Sequence, residues 1–103
     1  MFNIKCIKSK VSKCQYYLTK HGEQERQNDS ITIAEIEEAL INGIILEQYE
    51  DDLRGESCLV AGFSEAGKPI HIVCGKFEND LVLITVYIPT PPKFITPYER
   101  GIK

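Results

Sequence analysis

Apolar residues recur at helical spacing in the first part of this chain and at strand spacing in the second, with the change at Asn42-Gly43. Phe2, Ile4, Ile7 and Val11 with lysines between them predict a short amphipathic helix over residues 2–14. Gln15-Tyr16-Tyr17-Leu18 reads as a connection. Thr19 is a candidate N-cap for a polar helix from about Lys20 to Gln27, which Asn28-Asp29-Ser30 ends. A third helix is the clearest. Thr32 with Glu35 three residues later fits a capping box, Ile33, Ile36, Ala39 and Leu40 form one stripe, and Asn42-Gly43 is a stop. Ile31 before the cap is placed to staple to Ile36.

Four strands follow: Ile44–Tyr49, Ser57–Phe63, Pro69–Phe77 and Leu81–Ile88. The polar stretch Asp51-Asp52-Leu53-Arg54-Gly55 separates the first two. Glu65-Ala66-Gly67 fits a three-residue hairpin loop with Gly67 left-handed, and Glu78-Asn79-Asp80 is the next turn. Loops of three residues set the register. Cys58 is then opposite Cys74, Ala61 opposite His71, Cys74 opposite Ile84, and His71 opposite Tyr87. One face would hold Val60, Ile70, Ile72, Cys74, Val82, Ile84 and Val86, all apolar and suited to receive the helices. The other would hold Leu59, Ala61, Phe63, His71, Val73, Leu83, Thr85 and Tyr87, mixed in character and open. Pro89, Pro91, Pro92 and Pro97 argue against regular structure in much of the tail, residues 89–103. The predicted fold class is α+β: three N-terminal helices on one face of a four-stranded antiparallel meander, one domain over residues 1–103.

Composition fits an ordinary globular domain, with 43% apolar and 26% charged residues. No apolar run approaches the ~20 residues that span a bilayer. Met1-Phe2-Asn3-Ile4-Lys5 does not resemble a signal peptide, so the expected location is cytoplasmic, with no membrane partner. The net charge of −3 argues against non-specific nucleic-acid binding, yet it is unevenly spread. Lys5, Lys8, Lys10, Lys13 and Lys20 make the start basic, Glu35, Glu37, Glu38, Glu47, Glu50, Asp51 and Asp52 make the middle acidic, and Lys93, Arg100 and Lys103 make the tail basic. Such basic ends suit either a phosphate backbone or plain solvation. Cys6, Cys14, Cys58 and Cys74 include no C-x-x-C pair. Cys58 and Cys74 read as small core residues, reduced in a cytosolic setting. With two histidines and no i, i+4 pair of them, no metal site and no cofactor is predicted.

The candidate chemistry lies in the histidines. His21 opens the polar helix, and His71 interrupts the apolar run Pro69-Ile70-His71-Ile72-Val73. His21, the helix from Ile31 to Gly43, that run, and Ile84-Thr85-Val86-Tyr87-Ile88-Pro89 occur in one order and spacing. Together they resemble a bacterial and archaeal family, domain of unknown function number forty-two fifty-eight, over about residues 5–103. That family is similar to the RelE-like toxin superfamily, small α+β domains with helices on a curved antiparallel sheet. Some of those relatives are ribonucleases neutralised by an antitoxin, often encoded beside them with a zinc-ribbon segment. The resemblance therefore implies RNA as substrate and an antitoxin protein as partner. This chain departs from the pattern where members commonly carry arginines four and eight positions after the first histidine, because those positions are Glu25 and Asp29. Gly22 also replaces the small helix-forming residue usual after that histidine.

Metal-independent RNA cleavage needs a base for the 2′-hydroxyl, an acid for the leaving oxygen and a cation on the phosphate. His71, Tyr87 and His21 are the catalytic candidates, and Thr85, Arg26 and Arg100 are the substrate-binding ones, with Arg54 a further cation. Each has a structural alternative. His71 is equally suited to a sheet histidine bonded to Thr85 or Tyr87, His21 to a helix residue bonded to the sheet or tail, and the arginines to solvated surface. Tyr16, Tyr17 and Tyr49 read as packing residues. No nucleophile elbow and no glycine-rich phosphate loop is present. Two functional classes remain: a toxin-like endoribonuclease, and a non-catalytic protein-interaction module on the same scaffold.

Overall fold

The computed structural model describes residues 3–50, 55–77, 80–90, 94–96 and 99–100, with side chains described over 3–50, 55–76 and 80–90. Three helices lead: α1 (Ile4–Ser12), α2 (Lys20–Asn28) and α3 (Ile33–Asn42). Asn3 caps α1 by accepting from the Lys5 N–H at 2.8 Å, and Ile7 and Val11 turn inward. Both halves of the α3 capping box are made: the Glu35 N–H donates to Thr32 Oγ1 at 3.1 Å, and the Thr32 N–H to Glu35 Oε1 at 2.9 Å. Ile36, Ala39 and Leu40 are the buried stripe of α3, and Ile31 ahead of the cap is buried with them.

The sheet has five strands and is mixed, which corrects the expected four-stranded antiparallel meander. Strands β2 (Ile44–Tyr49), β3 (Ser57–Phe63), β4 (Pro69–Phe77) and β5 (Asp80–Tyr87) pair antiparallel in sequence order. The fifth, β1 (Tyr16–Leu18), runs parallel to β5 on its outer edge, with Tyr16 opposite Leu81 and Leu18 opposite Leu83. The segment expected to be a connection is thus a strand. Three residues are too few for a periodic signal, and Leu18 and Tyr16 join the core edge while Tyr17 faces out. In the tail, β6 (Phe94–Thr96) and β7 (Glu99–Arg100) form a two-stranded antiparallel ribbon, regular structure that the prolines argued against. Neither strand contains a proline, so the ladder needs no proline N–H.

The β3–β4 register is as expected, with Cys58 opposite Cys74 and Ala61 opposite His71. Gly67 takes φ +88° between Ser64 and Lys68, whose backbones close the hairpin. The β4–β5 pairing differs. It closes at Phe77–Asp80, one residue tighter than a three-residue loop gives, and an extra residue at Ile84 restores His71–Tyr87. Between the turn and this bulge the faces of β5 are exchanged. Cys74 lies opposite Leu83, not Ile84. Leu81 and Leu83 therefore enter the helix-side core with Val60, Ile70, Ile72, Cys74 and Val86, while Val82 and Ile84 do not. Gly75 accommodates the bulge: a Cβ there would meet Ile84 Cδ1 at 2.6 Å.

Helix and sheet approach closely at Gly62. A Cβ on Gly62 would fall 2.0 Å from the Ala39 carbonyl oxygen, where α3 crosses β3. The Asn42 side chain extends the same contact. It donates to the Phe63 carbonyl at 2.6 Å and accepts from the Phe63 N–H at 3.1 Å, as a paired strand would.

Candidate functional site

The alternation of β4 puts Ile70 and Ile72 into the helix-side core and turns His71 to the opposite face. There it lies between Ala61 and Tyr87 on the neighbouring strands. Its Nδ1 is 3.2 Å from the Tyr87 hydroxyl, and the rings meet edge to face with centroids 5.3 Å apart. Thr85 follows on the same face opposite Val73 and is half-buried, as is Tyr87. The pairing inferred from the sequence is therefore present. The openness is not: His71 has a relative exposure of 0%, and Leu59 and Ala61 beside it on β3 are also buried. The face expected to be open is shielded at its centre. Strand alternation reports which side a residue takes, not what lies over that side.

His21 occupies the first turn of α2 in a different environment. Its side chain is 66% exposed, and its Nε2 lies 3.3 Å from Glu25 Oε1 one turn later. The same Glu25 oxygen accepts from the Val86 N–H at 3.2 Å, and Asp29 Oδ2 accepts from the Ile88 N–H at 3.1 Å. The positions where arginines were expected thus hold carboxylates that satisfy the edge of β5. Thr19 begins the series. Its hydroxyl accepts from the Gly22 N–H and donates to the Ile84 carbonyl, each at 3.0 Å. Gly22 completes it, since a Cβ there would stand 2.8 Å from the Leu83 carbonyl oxygen. Close approach explains the glycine.

Among the cations, Arg26 is engaged. Its guanidinium grips Glu23 through two bonds of 2.9 and 2.7 Å and reaches the Ile31 carbonyl at 3.2 Å, tying α2 to the turn before α3. That guanidinium and the Gln27 amide hold the Glu23 carboxyl below its ordinary range. Arg100 belongs to β7, with its side chain outside the described residues, as is the whole of Arg54. Tyr16 donates its hydroxyl to Glu37, and burial followed by that carboxylate pushes the phenol up. Tyr17 is 43% exposed.

The candidates thus divide. His71, Tyr87 and Thr85 share one sheet face, with the ring sealed. His21 is exposed on α2, and Glu25 stands between the two sets, binding His21 on one side and the residue before Tyr87 on the other. Thr19 is the N-cap the sequence implied, but that Thr19, Gly22, Glu25 and Asp29 together dock on β5 was missed. Their spacing marks one face of a helix, but an all-polar helix gives no sign of which face docks. Among the described residues no group of three or more His, Cys, Asp or Glu side chains could hold a metal ion, and no helix is long and apolar enough to cross a membrane.

The profile of one family, described as Domain of unknown function (DUF4258), matches residues 18–88, from the end of β1 to just past β5. The chain belongs to that family. No curated protein and no solved structure matches it.

Proposed function

We propose that this domain is a non-catalytic protein-interaction module rather than a metal-independent endoribonuclease. One observation carries the reading: His71, the ring best placed by sequence for acid–base work, is wholly buried against Tyr87. A general base must come within hydrogen-bond reach of the proton it takes, and a sealed ring is out of reach of an RNA strand. The surface supports the same view. Where a phosphate-gripping helix needs cations, α2 presents Glu25 and Asp29, and Arg26 is already held by Glu23. A carboxylate beside a phosphodiester adds repulsion rather than charge neutralisation. The partner in this reading is another protein, an antitoxin-like one if the RelE-like relation holds. A cytoplasmic setting fits the facing free thiols of Cys58 and Cys74, which an oxidising compartment would tend to join.

The test is induction in a bacterial host together with incubation of purified protein with single-stranded RNA in chelator. Growth is expected to continue and the RNA to stay intact. Growth arrest with chelator-resistant cleavage would overturn the reading. One observation favours the second class enough to keep it in the experiment: His21 is exposed beside Glu25, an arrangement able to move a proton at the surface. In that case cleavage appears and His21→Ala loses about 10²–10⁴ in rate, the usual loss for a catalytic acid or base.

A further inference from the structure

Helix α2 has the sequence KHGEQERQN, without one apolar side chain, and its only buried residue is Gly22. A helix usually stays on its domain by burying an apolar stripe, and short polar helices are marginal alone. What holds α2 is a row of polar contacts to one sheet edge. The parallel pairing of β1 with β5 ends with the Thr19 N–H donating to the Leu83 carbonyl at 3.0 Å. Beyond it, side chains from α2 take the place of a strand. Thr19 Oγ1 meets the Ile84 carbonyl, Glu25 the Val86 N–H and Asp29 the Ile88 N–H. The pitch allows it: four helical residues advance ~6 Å, close to the ~6.6 Å of two strand residues. Carboxylates four apart on the helix therefore reach N–H groups two apart on the strand.

We propose that α2 is a detachable clasp on the β5 edge, which leaves as a unit and bares the Val86 and Ile88 N–H groups while the rest of the sheet stays folded. Such a bared row is the feature by which a strand edge accepts an added segment. The clasp is polar throughout, so its release exposes no apolar side chain of its own. The capping box starts α3 independently of it, and release breaks the two bonds between Arg26 and the Ile31 backbone together with the row to the sheet edge.

Native-state hydrogen exchange on the whole chain tests this. In the wild type, the Val86 amide is expected to exchange through the same opening as the α2 amides, at least ~10-fold faster than the amides of the central strand β4. The variant Thr19→Ala removes the bond to Ile84 and the helix cap without touching Val86. It is expected to speed exchange at Val86 and Ile88 about 10-fold, as loss of one such anchor implies. The double variant Glu25→Ala/Asp29→Ala keeps helix propensity and is expected to do the same. Exchange of Val86 in step with β4 in the wild type would overturn the proposal. So would a Thr19→Ala variant in which Val86 is unchanged, or an Ile36→Val variant in which Val86 quickens as much as Ile72, since clasp release leaves the α3 core folded.

Discussion

At the scale of the residue, burial decides which sequence signals mean chemistry. The buried thiols follow the packing argument: Cys58 and Cys74 face each other across β3 and β4 at 0% exposure, whereas Cys6 and Cys14 are exposed. In a native-state labelling experiment Cys6 and Cys14 are expected to react at once. Cys58 and Cys74 should react only with unfolding, because opening central strands costs close to the full stability. Rapid reaction of all four would contradict the packing. The hydrogen bond its own thiol makes to Cys58, followed by burial, pushes the Cys74 thiol up, which slows thiolate formation further. Gly62 is the sharpest single-site test of the α3–β3 contact. Its Cβ has no room beside the Ala39 carbonyl, so Gly62→Ala should destabilise by roughly 3 kcal/mol through overpacking. A thermal midpoint unchanged from wild type would show that the two backbones can separate cheaply.

At the scale of the element, the legible parts were those whose signal is local. The α3 capping box needs only Thr32 and Glu35, and both bonds form. Its charge environment yields a pH prediction. The Thr32 N–H, and then the Lys68 ammonium, hold the Glu35 carboxyl below its ordinary range. A carboxyl lowered in the folded state contributes stability above its unfolded value of ~4.3. That contribution is lost as pH falls through the lower folded value. Glu35→Gln should therefore flatten the acid side of the stability curve between those two values, and an unchanged acid slope would count against the Lys68–Glu35 bridge. Other parts were illegible for equal reasons of scale. The strand Tyr16–Leu18 takes its identity from β5, sixty-five residues away in the chain, rather than from its own three residues. The His71–Tyr87 pairing was right although the turn was one residue tighter than expected, because the bulge at Ile84 adds the residue back. Between the two, Leu81 and Leu83 exchanged faces with Val82 and Ile84, a shift that no alternation pattern reveals.

At the scale of the molecule, the α+β class follows from the order of helices and strands, and the family from the match over residues 18–88. The candidate site depended on something the order does not carry, namely what covers the far side of the sheet. His71 and Tyr87 came together as the sequence implied, but in a sealed setting, and the carboxylates at Glu25 and Asp29 proved to be edge contacts of β5. The central claim is that the His71 ring is closed to anything in solution while His21 is open. The chain has two histidines, so acylation by diethyl pyrocarbonate, followed by peptide mass analysis, addresses each separately. The account predicts rapid modification of His21 in the native protein and modification of His71 only under denaturing conditions. Comparable rates at both rings in the folded protein would contradict it and return His71 and Tyr87 to candidacy as a working acid–base pair.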